Sequence, residues 1–206
     1  LSATKKIIFR GMITRPKLFN AVLDLSKRFQ GLFISEADKS LGTYCSGALA
    51  KFIGERHFMP LAKKPFRKIQ DSIVKKEQVS GKTVVLFPGC VVDKIYPHIG
   101  KKAVEVLQSQ EINVKVPEVQ VCCGIPSLAS GDDKSFESLF KQNIEQFEGL
   151  NADYIVTPCA TCTSTIKKIW PMMFKNKDAS LYEKAQSIAD KTQDISEFLV
   201  DTLQVN

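Results

Sequence analysis

Hydrophobic and polar positions change their period partway along the chain. After Pro16, Leu18, Val22, Leu25 and Phe29 recur at intervals of three and four, which predicts a helix. A second helical pattern covers Ala48 to Glu55. The stretch from Ala62 to Val79 is rich in Lys, with Pro60 and Pro65 as breakers. It reads as a lead-in to a separate unit, with the boundary near Ser80–Gly81.

Beyond Gly81 the texture is different. Thr83-Val84-Val85-Leu86-Phe87 is a short continuous apolar run, as expected of a parallel strand buried on both faces. Pro88-Gly89 stops it, and Cys90 follows at once. A helical pattern then carries Ile99, Ala103, Val106 and Leu107. A second strand is predicted over Ile112 to Val116, with Cys122-Cys123-Gly124 in the loop beyond Pro117. Asp132 or Asp133 caps a helix whose apolar face is Phe136, Leu139, Phe140, Ile144 and Phe147. Tyr154-Ile155-Val156 is a third strand, ended by Pro158-Cys159. Cys162 opens a helix bearing Ile166, Ile169, Trp170 and Met173. Asp194, with Glu197 three residues on, is a capping box that begins a last helix.

Strands that alternate with helices predict an α/β fold with a parallel sheet over residues 81–206, preceded by a mainly helical N-terminal region over residues 1–80. In such sheets ligands bind beyond the C-terminal ends of the strands. Cys90 and Cys159 lie just past predicted strand ends, Cys122 and Cys123 a few residues beyond another, and Cys162 opens the helix after Cys159. Residues up to about 80 positions apart are therefore expected to converge on one point.

Composition narrows the class. The chain has 206 residues, 44% hydrophobic and 25% charged, enough to bury a core. No apolar run approaches the roughly 18 residues of a membrane span, and no secretory leader pattern opens the chain. The first residue is Leu1 rather than Met, which suggests a piece of a longer protein. A cytoplasmic place is expected, either free or peripheral at the inner face of a membrane. Charge is uneven: residues 1–80 carry 16 Lys and Arg against 6 Asp and Glu, and the remainder 13 against 16. The basic N-terminal part suits a protein partner, an anionic membrane or simply a solvated face. No nucleic-acid motif accompanies it, so nucleic acid is not expected as a partner.

Six cysteines in a chain read as cytoplasmic point to metal or redox chemistry rather than disulfides. Five of them form the pattern C-x31-C-C-x35-C-x2-C, with Gly124 after the doublet. A lone CxxC is weak; this spacing is far more specific. Thiolates are soft ligands that favour iron–sulfur clusters or zinc. Five exceed what one tetrahedral zinc needs. Gly124 permits a tight turn. Cys162, at a helix start, lies in the positive field of the dipole, which lowers a thiol pKa. The alternatives are zinc, a redox-active thiol relay, and buried thiols acting as small hydrophobes.

The five cysteines fit without departure the signature C-x31–39-C-C-x35–36-C-x2-C of the CCG family, the cysteine-rich domain of heterodisulfide reductase and its relatives. The wording Phe87-Pro88-Gly89-Cys90, Cys122-Cys123-Gly124-Ile125-Pro126 and Thr157-Pro158-Cys159-Ala160-Thr161-Cys162 resembles the iron–sulfur subunits of glycolate oxidase, lactate-utilisation and anaerobic glycerol-3-phosphate dehydrogenase complexes. The resemblance covers residues 81–206 well and the rest loosely. It implies a [4Fe-4S] cluster, noncubane in the heterodisulfide reductase relative, held by Cys90, Cys122, Cys123, Cys159 and Cys162, with zinc as the alternative. Gly89, Gly124 and Pro126 are the supporting positions. It also implies electron transfer from a flavoprotein dehydrogenase subunit toward a quinone or membrane-associated acceptor, or, in the other line of relatives, disulfide chemistry at the cluster. A zinc-stabilised docking module is the non-redox alternative. Relatives carry an upstream ferredoxin-like region and two CCG domains, so this chain, with one, is expected to be the middle of a larger protein.

Other residues carry less. Cys45 lies outside the pattern and reads as a free thiol. His57 and His98 read as surface or capping residues, although His98 is near Cys90 in sequence. Trp170, spaced with Ile166 and Met173, reads as core. Gly81, Gly89 and Gly100 do not make a dinucleotide fingerprint, and no Ser/His/Asp set stands out.

Overall fold

A computed structural model describes residues 2–33, 35–38, 43–45, 57–74 and 81–205. The chain opens with α1 (Ala3–Lys6), which continues as a wider-wound turn over Ile7–Ile13, and then α2 (Pro16–Phe33). A small antiparallel ladder follows, in the order β1 (Ser35–Asp38), β2 (Thr43–Cys45), β3 (His57–Phe58). The hydrophobic pattern predicts no strand there. The helix expected over 48–55 lies outside the described residues, and the expected boundary falls at the edge of the undescribed stretch 75–80.

After the short helix α3 (Gln70–Ile73) comes a four-stranded parallel sheet in the order β5-β4-β6-β7. Its strands are β4 (Thr83–Leu86), β5 (Asn113–Lys115), β6 (Tyr154–Thr157) and β7 (Thr192–Asp194). β4 is central, flanked by β5 and β6, and Val84, Val85 and Leu86 have no exposed surface. That is why the strand reads as an unbroken apolar run. The side chains alternate. Val85 and Ile155 face a core shared with α7 (Asp133–Leu150), while Val84, Leu86 and Val156 face one shared with α5 (Pro97–Ser109).

The larger core is aromatic. Phe140 packs edge-on against Trp170 at 5.1 Å and tilted against Phe174 at 4.4 Å. Such burial of large rings is the main stabilising contribution in a core of this kind. On α5 the buried face is Ala103, Val104 and Leu107. Ile99 and Val106, expected to share the apolar face, lie at its margin, Ile99 being exposed.

The N-terminal helices are fastened to the sheet domain by polar contacts. Arg10 reaches both carboxylate oxygens of Asp132, whose side chain is fully buried. Gln142 donates to the carbonyl of Thr14. Arg67 bridges Asp24 of α2 and the buried Asp93. Leu18, Leu25 and Phe29 point instead to solvent.

Candidate metal centre

Three adjacent strands deliver the five cysteines. β4 runs through Pro88 into α4 (Gly89–Lys94), which holds Cys90 in its first turn. The loop after β5 carries Cys122 and Cys123 into α6 (Ile125–Ala129). β6 leads through Pro158 to Cys159, the N-cap of α8 (Ala160–Ser164), with Cys162 in its first turn. The helix continues through Thr165–Ile169 into α9 (Trp170–Phe174), so the last CxxC and Trp170 share one rod.

The thiols meet side by side. Cys90 Sγ lies 3.8 Å from Cys122 Sγ. Cys123 interacts with the thiols of Cys122 and Cys162, and Cys162 with that of Cys159. Cys122, Cys123 and Cys162 are buried; Cys90 and Cys159 reach the surface in part. All five expected ligands are therefore in one basin. Cys45 is in β2 of the small ladder rather than at an end of the parallel sheet, and His98 packs edge-on against Tyr96 at 6.0 Å.

Crowding splits the thiol acidities. The neighbouring Cys122 thiol, then Cys162, holds Cys123 well below the usual thiol value. Cys159 falls to about 6, chiefly through the Cys162 thiol and then the backbone N–H groups of Cys162 and Thr161. Cys122 and Cys162 are pushed up as hydrogen-bonding partners of Cys123. The expectation that the helix start lowers Cys162 is thus corrected. The N-cap position belongs to Cys159, and it is Cys159 that feels the free N–H groups.

The glycines have separate jobs. Gly89 has φ +79°, and a Cβ there would stand 2.9 Å from Cys162 Sγ and 3.9 Å from Cys159 Cβ. Gly124 has φ +98°, but a Cβ there would meet the Phe136 ring at 2.8 Å. Gly89 is thus the residue whose bare backbone faces the thiols; Gly124 makes the turn over the core. Pro126 sits in the first turn of α6, where its missing N–H costs nothing.

Residues that the cysteine pattern does not include hold the backbone here. Asn143 Nδ2 donates to the carbonyl of Cys122 at 3.0 Å. Trp170 Nε1 donates to the carbonyl of Cys123 at 3.0 Å. The Cys159 N–H donates to Thr157 Oγ1 at 3.2 Å. Asn143 has a visible signal in the sequence: it is an amide on the apolar face of α7, between Phe140 and Ile144, and it is buried.

The donor set suits a soft, multiply charged centre. Five adjacent thiolates repel one another, and a metal centre neutralises them together. Among the described residues, no three His, Cys, Asp or Glu side chains are arrayed around a single ion's position. The thiol contacts run from Cys90 to Cys122, Cys123, Cys162 and Cys159 in turn.

Residues 84–167 match the family model of the cysteine-rich domain, CCG, and this span includes all five cysteines. These residues form a CCG domain. The chain is 41% identical over 122 residues to lactate utilization protein A of Bacillus cytotoxicus, covering 59% of this chain and 49% of that protein. The proteins of the same name from Bacillus thuringiensis and Bacillus cereus are 40% identical over the same shares. The chain thus spans about half the length of these curated relatives. No solved structure matches it. The CCG domain places its cysteines where an open parallel sheet offers its ligand edge. No helix among the described residues is long and apolar enough to cross a membrane.

Proposed function

We propose that the CCG domain holds an iron–sulfur cluster, of [4Fe-4S] composition, and serves as an electron-transfer unit of a lactate-utilisation complex. The observation that carries this reading is the meeting of five thiols from three neighbouring strand ends, with the bare backbone of Gly89 beside Cys162. Five thiols exceed the four ligands of one tetrahedral zinc, and cysteine thiolates are the usual ligands of iron–sulfur clusters. The two partly exposed thiols, Cys90 and Cys159, give the centre an edge near the surface. The relatives' name supports lactate as the substrate class.

In this reading a flavoprotein dehydrogenase subunit oxidises the 2-hydroxy acid and passes electrons to the cluster. A quinone or another acceptor then receives them. For a membrane-side acceptor we assign helix α2, where Leu18, Leu25 and Phe29 are exposed beside Lys17 and Arg28. The test is anaerobic mixing of the loaded protein with its flavoprotein partner and one substrate at a time. Lactate is expected to bleach the cluster absorbance. Bleaching by glycolate or glycerol 3-phosphate alone overturns the substrate assignment.

A further inference from the structure

Lys94 ends α4, four residues after Cys90, so the two side chains share one helix face. The Lys94 side chain is only 11% exposed. Its ammonium lies 2.6 Å from Asp93 Oδ2 and 2.9 Å from Asn20 Oδ1, and 5.4 Å from the centre of the Phe19 ring. Lys94, Asp93, Phe19, Cys90 and Cys122 line the same crevice, about 10 Å³ in volume, which is roughly the least room one water needs. A nearly buried cation in so confined a place is costly to keep, and it acts more strongly on its neighbours than an exposed one.

Its partner does not cancel it. Asp93 is shared with Arg67, whose backbone N–H donates at 2.9 Å and whose guanidinium lies 3.4 Å away. The surrounding ion network joins four cations, Lys27, Arg67, Lys68 and Lys94, to two carboxylates, Asp24 and Asp93. Lys94 and Asp93 both line the crevice with Cys90, and the network they belong to carries two more cations than carboxylates.

We infer that Lys94 is a positioning charge for the cysteine basin, held there by Asp93, Asn20 and Phe19, and that it raises the reduction potential of a cluster bound to Cys90 and Cys122. The inference rests on the cluster reading above. Reduction adds negative charge to the centre, and a nearby fixed cation favours the reduced form. The lowered pKa of Cys90, for which Lys94 is one cause after the Cys122 thiol, agrees with the direction. The same contacts make α2 the residue source that fixes the charge, so the N-terminal region acts on the centre without supplying a ligand.

The test is an EPR-monitored redox titration of the full chain after anaerobic reconstitution. K94M is expected to lower the midpoint potential relative to wild type, and K94R to restore it. K102M, at a lysine 77% exposed on α5, is expected to leave it unchanged. If K94M does not fold, K94Q enters the same titration, since its amide can still donate to Asp93 without a charge. A lowered potential restored only by Arg supports the inference. Equal potentials in wild type and the uncharged variant overturn it and leave the cluster reading standing. A wild-type chain that takes up no redox-active centre overturns both.

Discussion

Gly89 and Cys162, from adjacent strands' ends, are so close that a single methyl on Gly89 would stand 2.9 Å from the Cys162 sulfur. Gly89 also has φ +79°, where a side chain is strained. G89A is therefore expected to displace Cys162 and to cost about 1–3 kcal/mol in backbone strain. Iron bound after reconstitution should fall sharply while the far-ultraviolet circular dichroism keeps its helical shape. Full iron retention in G89A would remove the close approach from the account.

Trp170 is the only tryptophan in the chain, and it is bonded through its indole N–H to the backbone of a proposed ligand, Cys123. Loading the cluster is expected to quench its fluorescence, and removing the metal to restore it. W170F should lose about 1–3 kcal/mol, since the Cys123 carbonyl is left unpaired in the core. Unchanged emission on loading would place the metal away from Cys123.

Asn143 has the matching role on Cys122. N143L removes the donor to that carbonyl while filling the same space, and should destabilise the fold by about 1–3 kcal/mol. Its measurable signature is slower cluster uptake at a temperature where the variant is still folded. Uptake at the wild-type rate would show that the doublet loop is held by other contacts.

Arg10 keeps the buried Asp132 carboxyl below its ordinary value, with Ser135 adding a further hydrogen bond. The folded pKa is depressed, so the stabilisation is present above the unfolded value near pH 4. It is lost as pH falls through the lower folded value. In R10M that carboxyl loses the larger of the two influences that hold it down and keeps only the Ser135 hydrogen bonds. Denaturant midpoints should show R10M clearly weaker at pH 7, with the gap closing toward pH 3. A gap that stays constant with pH would contradict the pairing.

The surface assigned to α2 is tested with vesicles. The wild-type chain is expected to sediment with vesicles rich in anionic lipid and not with neutral ones, and L25S/F29S should abolish this without lowering the melting temperature. Those two side chains are 58% and 47% exposed, so their loss removes little core. Sedimentation unchanged in the variant would discard the assignment.

The centre of the fold was legible because buried parallel strands are written as unbroken apolar runs, as Val84-Val85-Leu86 shows. The cysteines followed from the strands, since each lies a few residues past a strand end. β7 was not legible. Thr192-Gln193-Asp194 is polar, and it is a strand only because its backbone pairs with Ile155-Val156-Thr157. The last capping box was legible as a local pattern, and Asp194 and Glu197 make it. On α2 the period gave the helix but not its orientation. Periodicity cannot say which side meets a neighbour, and here Asp24, Phe19 and Asn20 face the domain while Leu25 faces solvent. Lys94 was hidden for the same reason: its importance lies in contacts to residues more than seventy positions away.

The most direct test of the central claim is the iron, sulfide and zinc content of anaerobically reconstituted wild-type and C123S chains, with EPR spectra of the oxidised and reduced forms. The expected result is about four irons and four sulfides per wild-type chain, a signal that responds to reduction, and loss of both in C123S. Zinc at about one per chain without iron, and no spectral change on reduction, would contradict it and make the basin a structural metal site.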